Sequence, residues 1–258
     1  MIAVIAVVND RAVYDAMLGA SLSRQRFRYA AVVMDNGAGG FRSAASAFNV
    51  AGRQADGDFL FFAHQDVSFE SERWLEDAEA LLRSVPDLGI AGVAGARPGP
   101  WSGREVVSLI RDSDPPQRLG HVEERAIAPV QTVDECAFFV PRDVFERQRF
   151  DERTCDGWHL YAVDYSLSAL EAGLQVRALP LPLYHRSGGK TVERLGITTF
   201  EHAYFRTLRR VAAKHASHVP TIYTTCGAWR TDRSLTFQRY PPREILRALY
   251  RRLRGASA

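Results

Sequence analysis

The chain has 258 residues, 46% of them hydrophobic and 24% charged, a composition that excludes disordered, collagenous and fibrous classes and suffices for a core without disulfide or metal staples. Its three cysteines, Cys136, Cys155 and Cys226, are widely spaced without a CxxC pair, which argues against a disulfide framework or zinc ribbon and for a reducing cytoplasm. The net charge of +3 is unevenly placed, because residues 201–258 carry 12 basic against 3 acidic residues and the first 200 residues are net acidic. A basic tail on an acidic body points to an anionic surface or to a solvated amphipathic face. No nucleic-acid module is recognisable, so nucleic acid is not an expected partner.

Taken in chain order, the opening MIAVIAVVND lacks a basic n-region and meets Asn9, Asp10 and Arg11 early, so it reads as a buried strand over 2–8 rather than a signal peptide or membrane span. A helix is predicted over 12–24, a strand over 29–35, an Ala-rich helix over 43–55 and a strand over 58–64. Strands separated by ten to fifteen helical residues imply parallel βαβ units with helices on both faces. A helix over 71–84, with Ser71 as cap, and a Gly-broken strand over 88–96 follow. The turn-rich segments 96–103 and 113–120 bracket a hairpin or surface excursion. A strand over 133–140 then stops at Pro141 before a short helix, a helix over 161–173 ends at Gly173, and a strand over 175–181 leads into the loop 183–189. Two terminal helices are expected, over 198–216 and 241–254.

In an open parallel sheet, ligands bind beyond the carboxyl ends of the strands. Those positions hold Asn9 and Asp10, then Asp35 and Asn36, then His64, Gln65 and Asp66. Polar residues begin most loops, but three such sets on one rim mark a candidate site. Other chemistries have little support. NGAGGFR (36–42) lacks the third small residue of a dinucleotide-binding turn, and no GxSxG, HExxH or GxxxxGK[ST] occurs. Cys155 and His159 share a helical spacing, yet one thiol and one imidazole are too few for a metal site.

The landmarks FNVAGRQADGD, ADGDFLFFAHQDVSFESERWLEDAEALL, GIAGVAGA, VDECAFFVPRDVF, FDERTCDGWHLYAVDYSLSALEAG and LPLYHRSGG occur in order over about residues 2–190. This ordered set resembles the inverting glycosyltransferases of the large family 2 type, and within it a bacterial glycosyltransferase-like subgroup whose third strand ends in HQDV. The resemblance implies an α/β glycosyltransferase A fold with a mostly parallel central sheet flanked by helices over 1–200, and a basic helical extension over 201–258.

It also implies transfer of a sugar from a nucleotide-diphosphate donor to a hydroxyl of a sugar or lipid-linked acceptor, with inversion, aided by a divalent cation, Mn²⁺ or Mg²⁺. Asp66 matches the metal-ligating carboxylate of an Asp-x-Asp motif whose first Asp is here His64, and His185 matches a late-loop histidine that approaches metal or diphosphate. Asp10 and Asp35 match positions that hold base and ribose, and Asn9, Asn36, Asn49 and Gln65 fall on the same nucleotide side. Asp164 matches an acid on the helix facing the acceptor and is the expected general base. Asp156, Trp158 and His159 would form the acceptor wall.

Each residue also has a plainer reading: Asp10 and Asp35 as turn formers or caps, Asn49 as a helix-surface amide, Asp164 as an acid favoured by the helix dipole, Trp158 as packing and His185 as a backbone-bonded loop residue. The missing first Asp motivates a second functional reading, a catalytically silent nucleotide- or carbohydrate-binding module with the same fold. Over 241–258, Ile245, Leu246, Leu249, Tyr250 and Leu253 form an apolar stripe flanked by arginines. This helix would dock on the protein's own body or lie peripherally on an anionic inner membrane face.

Overall fold

The computed structural model describes residues 1–120, 122–187, 191–194 and 197–240. Seven strands form the central sheet, in the order Ala128–Pro129, Gln175–Ala178, Leu88–Gly92, Ala137–Pro141, Phe59–Ala63, Ile2–Val8, Tyr29–Asp35. Ile2–Val8 pairs in parallel with Tyr29–Asp35 and Phe59–Ala63, as does Gln175–Ala178 with Leu88–Gly92. Ala137–Pro141 runs antiparallel between Phe59–Ala63 and Leu88–Gly92. The sheet is therefore mostly parallel, as expected for the α/β class, with a reversed strand near its centre.

Side chains of the central strands alternate between two packed layers. Ala3, Ile5, Leu60 and Phe62 enter one core with the helices Ala44–Gln54 and Tyr161–Glu171, whereas Ile2, Val4, Phe59 and Phe61 enter the other with the helical run 11–23 and the helix Trp74–Arg83. Burial on both faces explains why these strands read as unbroken apolar runs. The edge strand Tyr29–Asp35 is only half covered. Phe61 stacks on Phe139 at 4.3 Å and Phe62 on Phe138 at 5.2 Å between ring centroids, each pair adding about 0.5–1.5 kcal/mol beyond its burial.

Helix boundaries follow local chemistry. Ser43 caps Ala44–Gln54 by accepting from Ser46 N at 3.2 Å. Gly52 in that helix lets the Phe145 ring approach, since a Cβ there would sit 2.3 Å from Phe145 Cζ. Tyr161–Glu171 closes at Gly173 (φ +78°), with Gly173 N bonded to Leu170 O and Leu174 N to Ala169 O.

Several expected boundaries move. The segment 88–96 splits into Leu88–Gly92 and Ala94–Pro98, the second pairing with Arg104–Ser108 and Thr132–Val133 in a separate sheet. The segment 133–140 divides likewise, into Thr132–Val133 and Ala137–Pro141. The helix expected from 71 begins at Trp74, because Ser71 Oγ closes a turn onto Arg73 N at 3.1 Å. The helix expected over 198–216 is His202–His215, preceded by the β-branched strand Ile197–Phe200. The helix expected over 241–254 lies outside the described residues. A further four-stranded sheet orders Val67–Phe69, Leu183–His185, Ile110–Asp112 and Gln117–Arg118. All three cysteines are free thiols. Among the described residues no helix is long and apolar enough to cross a membrane.

Residues after 200 share a core with those before it. Tyr204, Phe205, Leu208, Val211, Ile222 and Trp229 belong to the same cluster as the sheet and the Tyr161–Glu171 helix. A charge network reinforces the junction. The fully buried His215 meets Glu171 Oε1 through Nδ1 at 2.6 Å and Asp164 Oδ1 through Nε2 at 2.9 Å, while Lys214 Nζ meets Asp164 Oδ2 at 2.9 Å and Asp151 Oδ2 at 3.0 Å. Burial works to lower the His215 pKa, but the hydrogen bonds to Asp164 and Glu171 prevail and raise it above 6.5. The stabilisation this gives is complete below the unfolded value and is lost as pH rises through the raised folded value. The gap in urea midpoint between wild type and His215→Gln should therefore be widest below the unfolded value of 6.5 and shrink as pH rises above it. A gap independent of pH would mean that the imidazolium does not hold the helix.

Candidate active site

The parallel strands end together, because Val8 lies opposite Asp35 and Ala6 opposite Ala63. Asn9, Asn36 and His64 consequently share one rim. Gln65 ties that rim across two strands: its Oε1 accepts from Asn9 N at 2.9 Å and Asp10 N at 3.1 Å, and its Nε2 donates to Asn9 Oδ1 at 2.6 Å. Asp10 caps the first helix through Val13 N at 3.1 Å. Asp35 accepts from Gly37 N at 2.8 Å, and Asn36 clips the loop to both backbone groups of Phe41. Much of the hydrogen bonding expected toward a nucleotide is thus spent on shaping the loops. Asp35 and Arg11 nonetheless line a shallow depression with Val8 and Val33.

His64, Asp66 and His185 converge beside this rim, with one ligating atom from each lying within 4.8 Å of the others. His185 Nε2 is 3.4 Å from Asp66 Oδ1 and its Nδ1 is 2.8 Å from Asp112 Oδ1. Burial alone would lower the His185 pKa, yet the hydrogen bonds to Asp112 and Asp66 outweigh it and the value is pushed up to about 10. Asp66 shows the complement: burial works to raise its carboxyl, and the bond to His185 brings it below the ordinary carboxylate value. His64 is pushed down by loss of water and by repulsion from His185. Its Nε2 is 3.0 Å from the hydroxyl of Tyr161, which itself donates to Glu135 O at 3.4 Å. With Tyr161 donating to Glu135 O, His64 Nε2 would carry the ring proton and the Nδ1 lone pair would lie on the side of Asp66, 3.9 Å from its Oδ1. Two imidazole nitrogens and a carboxylate oxygen make a donor set that suits a divalent transition ion.

Three neighbours of this group carry no sequence signal that singles them out. Asp112 sits in a turn-rich segment and orients His185. Asp134 accepts from Cys136 N at 3.0 Å and from Thr225 Oγ1 at 2.5 Å, and its charge acts on both His64 and His185. Tyr161 orients His64.

The other expected residues are placed as follows. Asp164 is 2% exposed, with both oxygens engaged by Lys214 and His215. The general base expected at Asp164 is thus placed with both oxygens paired to the protein. Asn49, expected on the nucleotide side, also has protein partners. It is buried, its Nδ2 donating to Phe150 O at 2.9 Å and Glu152 Oε1 at 2.8 Å and its Oδ1 accepting from Phe150 N at 3.0 Å. Asp156 pairs with Arg210 and His159 with Glu201. Trp158 is 42% exposed, so it is a surface ring and not core packing.

A family model described as glycosyltransferase like family matches residues 3–183. The chain belongs to this family. Solved structures add the fold. A mannosyltransferase from Pyrobaculum calidifontis in complex with GDP-Man and Mn²⁺ aligns at 13% identity and TM-score 0.52, covering 84% of this chain and 64% of that one. TarS of S. aureus in complex with UDP-GlcNAc aligns at 16% identity and TM-score 0.51, with 83% and 66% covered. GalNAc-T7 with UDP, GalNAc and Mn²⁺ aligns at 11% identity and TM-score 0.56, with 82% and 47% covered. The chain therefore shares the glycosyltransferase A architecture and spans under two thirds of each of these chains. No curated protein matches it significantly.

The Asn49 clamp yields a test that separates structure from binding. Asn49→Ala leaves both backbone groups of Phe150 unpaired and should cost about 1–3 kcal/mol. Chemical denaturation should register that loss, while nucleotide-sugar affinity by calorimetry stays at the wild-type value.

Proposed function

We propose that the protein transfers a sugar from a nucleoside-diphosphate donor to a hydroxyl of a sugar or lipid-linked acceptor, with inversion at the anomeric carbon. The observation that carries this reading is the convergence of His64, Asp66 and His185 at the carboxyl rim of a sheet in a glycosyltransferase-like family member. The diphosphate is the anionic part of such a donor, and Asp66, His185 and His64 are the residues that would hold a divalent cation against it. When bound, that ion supplies positive charge to the leaving diphosphate. The Mn²⁺ complexes among proteins of the same fold support a divalent cation, and the nitrogen-rich donor set favours Mn²⁺ over Mg²⁺.

The remaining assignments follow from position. Asp35 and Arg11, lining the depression at the end of the first two strands, lie where a nucleoside would rest. Gln65 keeps the first and third strand ends in register and so fixes Asp66 relative to that depression. Trp158, half exposed beside His159, offers a flat face for a sugar ring on the acceptor side. A silent binding module is the alternative that His64 raises by replacing a carboxylate. It is the weaker reading, because the lone pair of His64 Nδ1 takes over the ligating direction that a carboxylate would fill.

Purified protein with Mn²⁺ should release nucleoside diphosphate from at least one member of a panel of nucleotide sugars supplied with sugar acceptors. Asp66→Ala should reduce that release by at least about a hundredfold and remove the metal dependence of donor binding, as expected when the charge that organises the diphosphate is lost. Its melting temperature should fall only modestly, because Asp66 lies outside both cores and gives up its pairing with His185. Silence of the wild type across the panel would leave the binding-module reading standing, and unchanged metal-dependent affinity in Asp66→Ala would take that residue out of the site.

A further inference from the structure

Residues 202–240 hold seven cationic side chains against a single acid, Asp232. Four of the seven are engaged: Arg210 pairs with Asp156, Lys214 with Asp151 and Asp164, and Arg230 with Asp232, while Arg239 donates to Phe200 O at 2.8 Å. The charges of Arg206 and Arg233 reach Asp156 and Asp232 only from beyond those pairs. Arg209 and Arg233 are exposed and make no hydrogen bond or ion pair among the described residues. Both line one cavity of about 370 Å³ between the helix His202–His215 and the segment 231–236.

The lining is rich in donors. Thr231 has spent its hydroxyl proton on Val219 O at 2.7 Å, but the hydroxyls of Ser234 and Thr236 have no partner among the described residues and are free to donate. Among the described residues no acid lines the cavity. Two guanidinium forks and two hydroxyls around one space suit a tetrahedral oxyanion, and Arg is the side chain best matched to phosphate. The surface beside the cavity is apolar as well as basic: Phe237, one residue past Thr236, is 68% exposed. The chain then continues into the stripe of Ile245, Leu246, Leu249, Tyr250 and Leu253 flanked by arginines. Exposed Phe among arginines is the composition of a segment that meets a lipid interface.

We infer that the cavity between His202–His215 and residues 231–236 is a binding site for the phosphate of an anionic lipid headgroup, with Arg209 and Arg233 holding the phosphate oxygens and Phe237 entering the interface beside them. Membrane contact is then peripheral, driven by charge and one aromatic anchor, and weakened by salt. The site stands apart from the sugar-transfer chemistry, since none of its residues belongs to the His64, Asp66 and His185 group. It is joined to the acceptor side through one helix: Arg210, next to Arg209, pairs with Asp156, two residues before Trp158. Taken with the transferase reading, on which this last step rests, a headgroup site on that helix favours a lipid-linked acceptor over a free sugar.

The test is co-sedimentation of the full chain with vesicles of phosphatidylcholine alone and of phosphatidylcholine mixed with phosphatidylglycerol, at low and high salt. Wild type should bind the phosphatidylglycerol vesicles at low salt, leave them at high salt and ignore phosphatidylcholine. Arg209→Gln with Arg233→Gln should weaken partitioning about thirtyfold, about fivefold for each arginine, and Phe237→Ala should weaken it about fivefold or more. Should the double variant fail to fold, the single variants decide, each with its fivefold loss. Wild type that does not bind phosphatidylglycerol vesicles at low salt overturns the proposal. So does wild-type partitioning in the double variant, which would assign vesicle binding to residues 241–258 alone. Calorimetric binding of glycerol phosphate or inorganic phosphate without vesicle binding would give the cavity to a free phosphate and overturn the membrane contact. No donor is present in these measurements, so their failure leaves the transferase reading standing, and a silent donor panel leaves the headgroup site standing.

Discussion

The candidate site depends on a small antiparallel contact outside the main sheet. Val67–Phe69 pairs with Leu183–His185, and Arg186 N donates to Asp66 O at 2.9 Å. Pairing of Leu183–His185 with Ile110–Asp112 on its other side then sets His185 directly beside Asp112. Three segments far apart in the chain thereby place one imidazole between two carboxylates, and Asp134 adds a third negative charge within range. As a metal ligand His185 would give up its proton, and the three acids would then face the bound cation in place of the imidazolium, while the lowered pKa of His64 keeps that ring neutral.

The reversed strand Ala137–Pro141 supplies the rest of the site. Its parallel neighbours deliver residues to the rim at their carboxyl ends, but an antiparallel strand delivers those that precede it. Asp134 and Glu135 therefore arrive at the same edge as His64 and Asp66, joined by the bond from His64 N to Cys136 O. The stacked Phe61–Phe139 and Phe62–Phe138 pairs fix this register from both faces of the sheet. A slip of one residue would exchange the two aromatic layers and turn Asp134 and Glu135 to opposite faces.

How much of this was legible in the sequence follows from which interactions are local. The strands over 2–8 and 29–35 and the Gly173 stop are set by neighbouring residues, and they appear where the pattern puts them. The direction of Ala137–Pro141 depends on its partners, so an alternating β/α reading could not supply it. Asp66 and His185 were found through ordered motifs, whereas Asp112 and Tyr161 act through residues about seventy to a hundred positions away. Asp164 and Asn49 illustrate the opposite difficulty. An acid on a helix facing the site and an amide one turn from a conspicuous motif have the right residue types for binding, but their partners are Lys214, His215 and Phe150. Residue type tells that a polar side chain must be paired and not whether its partner is substrate or protein.

The residues beyond the family match at 183 are more than an appendage to this arrangement. The hairpin formed by Thr221–Thr224 and Gly227–Arg230 is fastened to the strand entering the rim through Gln131 and Thr132, and its turn sets Thr225 on Asp134. Lys214 and His215 meanwhile claim both oxygens of Asp164. One C-terminal segment thus fixes the orientation of one acid and closes off another. The division of labour among these acids is written by packing after residue 200, and it could not be read from the motif-bearing half of the chain alone.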